Sequence, residues 1–177
     1  MTEALHTNPT QLIGLLAFAC AAMACARTAR ARRERPWWWL CAACSGFVLE
    51  VAVGLRHRTH DLVDALLQAE GSYASRAPVQ IGLLAVALVL SAGTLLWLMR
   101  ARRTDPNLKA AAVGCAIALW LFLIEAISLH GVDAVMYAYI GPVYLIGWAW
   151  AATALLVMWA ALRATTISRE SAPARRR

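Results

Sequence analysis

From Ala77 to Met99 the chain runs through twenty-three residues without a single charge. A run that long and apolar matches the ~20 residues an α-helix needs to cross the hydrocarbon core of a bilayer. Four further runs repeat the pattern. Thr7 to Ala26 holds twenty uncharged residues, Trp37 to about Leu55 is interrupted only by Glu50, Ala110 to Leu129 has Glu125 as its only charge, and a last run extends from about Tyr137 to Leu162. Lipid offers no partner for backbone N–H and C=O groups, so such runs must close their own hydrogen bonds as helices. The expected fold is an all-α integral membrane protein, a bundle of five transmembrane helices. Residues 1–165 form this single bundle, and 166–177 a basic, disordered cytoplasmic tail.

Charge placement orients the bundle. Fourteen of the seventeen basic residues fall in the first loop (Arg27 to Arg35), the third loop (Arg100 to Lys109) and the tail, against Arg56, Arg58 and Arg76 on the other side. The positive-inside rule then sets the N-terminus outside and the tail in the cytoplasm of a plasma membrane, the bacterial inner membrane in kind. Trp37 to Trp39, Trp97 and Trp159 fall at inner ends, and Tyr73, Tyr137 and Tyr139 at outer ends, as interfacial belts do. Trp120, Trp148 and Trp150 lie deeper and are expected between helices. Gly141-Pro142, near the start of the last run, is expected to bend or unwind it, or to sit harmlessly in its first turn.

This placement also disposes of other readings. A net charge of +7 belongs to the span flanks, and no basic groove with interleaved aromatics points to nucleic acid. Met1 to Gln11 contains Glu3 and no Lys or Arg, so the first run reads as a retained span rather than a cleavable signal. No glycine fingerprint of a dinucleotide or phosphate loop is present.

Two stretches break the apolar rule in the same way. Glu50 and Glu125 each stand alone in a span, and each is followed by histidine and then aspartate: His57, His60, Asp61 and Asp64 after the first, His130 and Asp133 after the second. Glu50 lies roughly 8–9 Å below the outer boundary at 1.5 Å rise per residue, and Glu125 at matching depth. An ionised carboxylate facing lipid there would cost about 2–3 kcal/mol on insertion scales, so intramembrane acids face the bundle interior and mark functional sites.

Helix-borne Glu and His facing a bundle interior are a recurring way of holding metal. Glu50, Glu125, His130, His57, His60 and Asp133 are the expected ligands, with Tyr137 behind them; Glu50, Glu125 and His130 are the candidate catalytic groups. Iron, zinc or copper would fit such a set, and haem fits less well because the histidines sit at the rim. The Glu-x-x-His spacing is absent, and Glu50 and His57 stand about 10 Å apart along a helix axis. Thr59 to Ala69 alternates Leu62 and Leu66 with His57, Asp61, Asp64 and Gln68 at helical spacing, which predicts a short amphipathic helix on the outer face. His57 and His60 would then be ordinary interfacial histidines.

Cys20, Cys25, Cys41, Cys44 and Cys115 all fall in the cytoplasmic third of their spans. Cys41-x-x-Cys44 has no second pair and no neighbouring His, so packing is the expected role, with a copper(I) site as the sharper alternative.

The resulting expectation is a small multi-pass membrane protein with an outward-facing carboxylate/histidine site that binds metal or works on protons. An oxidoreductase, a hydrolase, a proton- or metal-coupled transporter and an accessory subunit all fit these residues. The expected partners are the lipid bilayer and either further copies of the chain or a larger membrane complex.

Overall fold

The computed structural model describes residues 8–54, 105–127 and 130–170, with scattered helical positions between 82 and 100; for 127, 130, 131 and 168–170 it describes the backbone alone. Of the expected third span only these scattered positions are described, and they are helical; the amphipathic helix over Thr59 to Ala69, and His57, His60, Asp61 and Asp64, lie outside the described residues. Within them the chain forms α1 (Pro9–Arg32), α2 (Arg35–Val53), α3 (Pro106–Ile127), α4 (His130–Met136), β1 (Tyr139–Ile140), β2 (Val143–Tyr144) and α5 (Leu145–Glu170). Four of these helices, α1, α2, α3 and α5, are long and apolar enough to cross a membrane. The protein is an all-α membrane bundle in architecture, with one two-residue ladder.

Local chemistry explains where the helices start and stop. The Asn8 side chain accepts a hydrogen bond from the Thr10 N–H at 3.0 Å, and Pro9 opens α1 where its missing donor costs nothing. Arg33, in the left-handed region at φ 55°, ends α1, and Pro36 sits in the first turn of α2. Only Arg33 and Glu34 join the two helices, so they form a tight antiparallel pair. Gly54, at φ 63°, closes α2 with its N–H donating to the Glu50 carbonyl at 2.8 Å. Asp105 opens α3 by accepting from the Asn107 N–H at 2.9 Å.

The start of the last span differs from the sequence expectation. Residues from Tyr137 to Tyr144 are not helical. Tyr139 pairs with Tyr144 and Ile140 with Val143 around Gly141-Pro142, and α5 begins only at Leu145. Gly141, at φ 67°, takes a conformation that L side chains rarely adopt, and proline fixes the second turn residue. At the other end α5 continues to Glu170, five residues into the stretch expected to be tail.

In the packing, α1 lies against both α2 and α5, and α5 lies against α3, while α2 and α3 touch little. Small residues set the close approaches. A Cβ on Gly114 would stand 2.8 Å from Val157 Cγ2 and 3.1 Å from the Thr153 carbonyl, so α3 and α5 meet backbone to side chain. Thr28 bridges α1 to α5, within 2.9 Å of the Ala161 carbonyl and 2.8 Å of Thr165 Oγ1. Arg32 pairs with Asp105 and Glu34, so the end of α1, the start of α2 and the start of α3 share one end of the bundle, the arginine end. There Arg30 lies over exposed Trp38 and Arg163 over exposed Trp159. Leu16, Met23, Leu49, Leu119 and Leu155 are exposed along the flanks, as side chains that face acyl chains are.

Candidate functional site

Three layers fill the bundle between its ends. In the middle, each long helix contributes one aromatic ring. Phe18 of α1 meets Phe47 of α2 at 5.1 Å between centroids, Phe47 stacks on Phe122 of α3 at 5.2 Å, and Phe122 stacks on Trp150 of α5 at 5.2 Å. Trp150 is buried between helices as its depth in the span implied, whereas Trp148 is exposed and donates to the Ile140 carbonyl at 3.1 Å.

Toward the arginine end lies a thiol layer. Cys44 Sγ stands 3.9 Å from Cys115 Sγ, and Cys25 is buried in the same core cluster. All three are buried, all five cysteines are free thiols, and Cys41, although part of the Cys-x-x-Cys pair, is only half-buried. Small side chains at the meeting of three helices are what close packing in a membrane calls for. Among the described residues no group of three His, Cys, Asp or Glu side chains is arranged to hold a metal ion.

Toward the opposite end lies the polar layer. Glu125, three turns beyond the Cys115 level on α3, is 6% exposed and accepts a hydrogen bond from the Tyr137 hydroxyl at 2.9 Å. Tyr137 reaches it from the end of α4, where its N–H closes the last turn on the Asp133 carbonyl at 2.9 Å. Tyr144 packs edge-on against Tyr137, with ring centroids 5.6 Å apart, and donates its backbone N–H to Thr10 Oγ1 at 3.0 Å. Gln11 donates to the Val51 carbonyl at 2.9 Å and so ties α1 to the end of α2. Together these groups enclose a cavity of about 190 Å³, bordered by Thr10, Gln11, Val51, Glu125, Tyr137 and Trp150. The aromatic layer lies directly beneath it, since Trp150 belongs to both.

Glu50 is at the expected level, three residues before the end of α2, as Glu125 is two before the end of α3. The two carboxylates nevertheless border different spaces. Glu50 is half-buried and faces a groove of about 550 Å³ between α2 and α3, shared with Phe47, Phe122, Cys115 and Ala126. Val51, the next residue and about 100° further round the helix, borders the Glu125 cavity instead. Asp133 is half-buried on α4, and His130 is the first residue of that helix, described through its backbone.

Thr10, Gln11 and Tyr144 belong to the cavity wall without having been singled out in the sequence, and Trp150 had been singled out for packing alone. For Gln11 a signal existed: it is an amide inside an otherwise apolar span, where an unpaired polar group is costly. No family model matches the chain, and no curated protein or solved structure matches it either.

Proposed function

We propose that this is a five-span membrane protein, oriented with the Glu125 end outside and the arginine end in the cytoplasm, whose Glu125–Tyr137 site takes up and releases a proton at the outer face. One observation carries the reading: a carboxylate 6% exposed accepts a tyrosine hydrogen bond at 2.9 Å and borders a small cavity at one end of the bundle. Intramembrane carboxylates are the groups that proton-handling membrane proteins use.

Tyr137 is the positioning residue. Its O–H donates to Oε1 of the ionised carboxylate; once Glu125 is protonated, the carboxyl O–H becomes a donor in its turn, toward the phenol oxygen or a cavity water. Asp133 and His130 sit on the same short helix as the approach to Tyr137 and are the groups through which a proton would arrive. The aromatic layer argues against a continuous polar path through this bundle, so the site is read as one-sided chemistry or sensing rather than conduction.

The test is difference infrared spectroscopy of the protein in lipid across a pH series. A protonated-carboxyl band that titrates in wild type, disappears in Glu125→Gln and changes frequency in Tyr137→Phe is the expected result. A spectrum in which Glu125→Gln alters no titrating band would end the proposal. Metal analysis of the same samples, wild type against Glu125→Ala and His130→Ala, separates it from a metal site: stoichiometric metal lost in both variants would replace the proton reading.

A further inference from the structure

At the arginine end a pocket of about 450 Å³ opens between α1 and α5. Its described walls are Arg27, Arg30 and Ala31 on one helix and Leu162, Thr165 and Thr166 on the other. Each trio is spaced i, i+3, i+4, so each is a single face of its helix. Thr28, between the two arginines in sequence, fixes the width of the cleft: its hydroxyl lies 2.9 Å from the Ala161 carbonyl and 2.8 Å from Thr165 Oγ1. The Thr166 hydroxyl turns back to the Leu162 carbonyl at 3.1 Å, so the pocket offers an occupant guanidinium charge above all.

Depth and sign narrow the occupant. Arg30 Cζ lies 5.8 Å from the ring centroid of Trp38, and Arg163 Cζ 4.8 Å from that of Trp159. Both indoles are exposed, and tryptophans at span ends sit at the level of lipid headgroups. The first loop, the third loop and the tail together carry fourteen bases and three acids, Glu34, Asp105 and Glu170, and Arg32 already pairs with two of the three. Cations are therefore in excess at this end however the remaining groups pair. Toward the middle of the bundle, Met23 stands one turn before Arg27 and Leu155 two turns before Leu162, and all three of Met23, Leu155 and Leu162 are exposed. A basic pocket thus stands at the head of an apolar track.

We propose that this pocket binds the phosphodiester headgroup of an anionic phospholipid, with Arg27 and Arg30 as counter-charges and the acyl chains along Met23 and Leu155. The planar guanidinium presents paired N–H donors that match two phosphate oxygens, and stacking on Trp38 occupies the face of Arg30 while leaving its edge free to donate. A zwitterionic lipid brings the same phosphate with an ammonium that the arginines repel. A soluble phosphodiester brings the charge without the hydrocarbon. The inference rests on the chain being a membrane protein and is independent of the Glu125 site at the opposite end; either can fail while the other stands.

Native mass spectrometry of the full-length protein released from detergent tests it, with dioleoylphosphatidylglycerol, dioleoylphosphatidylcholine and acyl-free glycerophosphoglycerol titrated in parallel. One equivalent of phosphatidylglycerol is expected to bind roughly tenfold or more tighter than phosphatidylcholine, and the acyl-free headgroup not at all at the same concentrations. Arg27→Gln with Arg30→Gln should remove that preference. Arg33→Gln with Arg35→Gln, which takes the same charge from the neighbouring loop, should leave it in place. Ala31→Phe keeps both arginines and fills the pocket from an exposed position, so it should displace the lipid while elution volume stays that of wild type. Equal affinity for the two lipids would mean that the cleft takes acyl chains alone, and overturns the proposal. Equal losses in the two double variants, which would mean diffuse attraction by the whole basic flank, also overturn it. So do tight binding of the acyl-free headgroup, the mark of a soluble-anion site, and unchanged affinity in Ala31→Phe.

Discussion

The Tyr137 hydroxyl donates to Glu125 Oε1 at 2.9 Å across a separation of twelve residues that includes the end of one helix and the whole of another. The bond therefore pins α4 and the turn after it onto the end of α3. Tyr137→Phe removes the donor and leaves the ring, so its cost is that of the hydrogen bond to a buried acid, about 1–3 kcal/mol. Detergent-titrated unfolding of wild type and Tyr137→Phe measures it. In the background of Glu125→Leu the same substitution should cost almost nothing; an equal cost in both backgrounds would show that the ring, not the bond, matters.

Gly114 marks a close approach between α3 and α5. An added methyl would lie 2.8 Å from a Val157 methyl, which can move, and 3.1 Å from the Thr153 carbonyl, which cannot do so without shifting the helix. Gly114→Ala is thus expected to cost about 1–3 kcal/mol, in the range of overpacked cores. Val157→Ala should restore part of that loss and not all of it. Full restoration would place the conflict with the side chain alone.

Much of this architecture is legible in the chain because a bilayer constrains length before anything else. Apolar runs with at most one acid had to become α1, α2, α3 and α5, and the loops flanking them had to meet at one end, as the Arg32–Asp105 pair shows. Run length is blind to a tight turn made of apolar residues, so Tyr137 to Tyr144 read as the start of a helix although Gly141-Pro142 already marked a reversal. The carboxylates were legible in depth and not in direction. Facing is a matter of rotation about the helix axis, and one residue's difference in phase sends Glu50 to the α2/α3 groove and Val51 to the Glu125 cavity.

Gly141 carries the reversal. Its φ of 67° suits glycine, and a Cβ there would meet no atom within 4 Å, so a substitution is charged only for backbone conformation. Gly141→Ala should cost about 1–2 kcal/mol. Because Trp148 bonds to the Ile140 carbonyl, the change should also appear in tryptophan fluorescence. An unaltered emission spectrum and unaltered stability together would rule out the hairpin as described.

Acid should loosen the arginine end in a defined window. Burial alone would raise the Asp105 pKa, but the hydrogen bond from Arg32, the Asn107 N–H and the Arg32 charge outweigh it and hold the carboxyl below its ordinary 3.8. A depressed carboxylate contributes stability that is complete above the unfolded-state value and is lost as pH falls through the folded-state one. Asn caps a helix nearly as well as Asp, so Asp105→Asn removes the charge and keeps the cap. The stability difference between wild type and Asp105→Asn is expected to be flat near neutrality and to close below about pH 4. It should shrink in high salt, since the pair is partly exposed. A difference that persists at low pH would assign the stabilisation to something other than the ion pair.

Cys44 and Cys115 provide a test of the helix arrangement itself. Their sulfurs are 3.9 Å apart, and a disulfide needs about 2.05 Å, a gap that side-chain rotation and a small approach of α2 to α3 can close. Oxidation of the two thiols forms one S–S bond and releases two protons and two electrons, which molecular iodine, soluble in the bilayer, accepts as it is reduced to iodide. Intact mass should then fall by two hydrogens, and digestion should link the peptides of Cys44 and Cys115. Exposed Cys20 has no partner thiol in this layer and should remain available to a maleimide. Cys25→Ser should leave the link in place, whereas Cys115→Ser should abolish it and leave Cys44 to pair, if at all, with Cys25. A dominant link from Cys41 in the wild-type protein would require α2 to be rotated by about 60°, the angle between positions three apart on a helix, from the position in which Phe47 meets Phe18 and Phe122, and would overturn the packing on which both cavities depend.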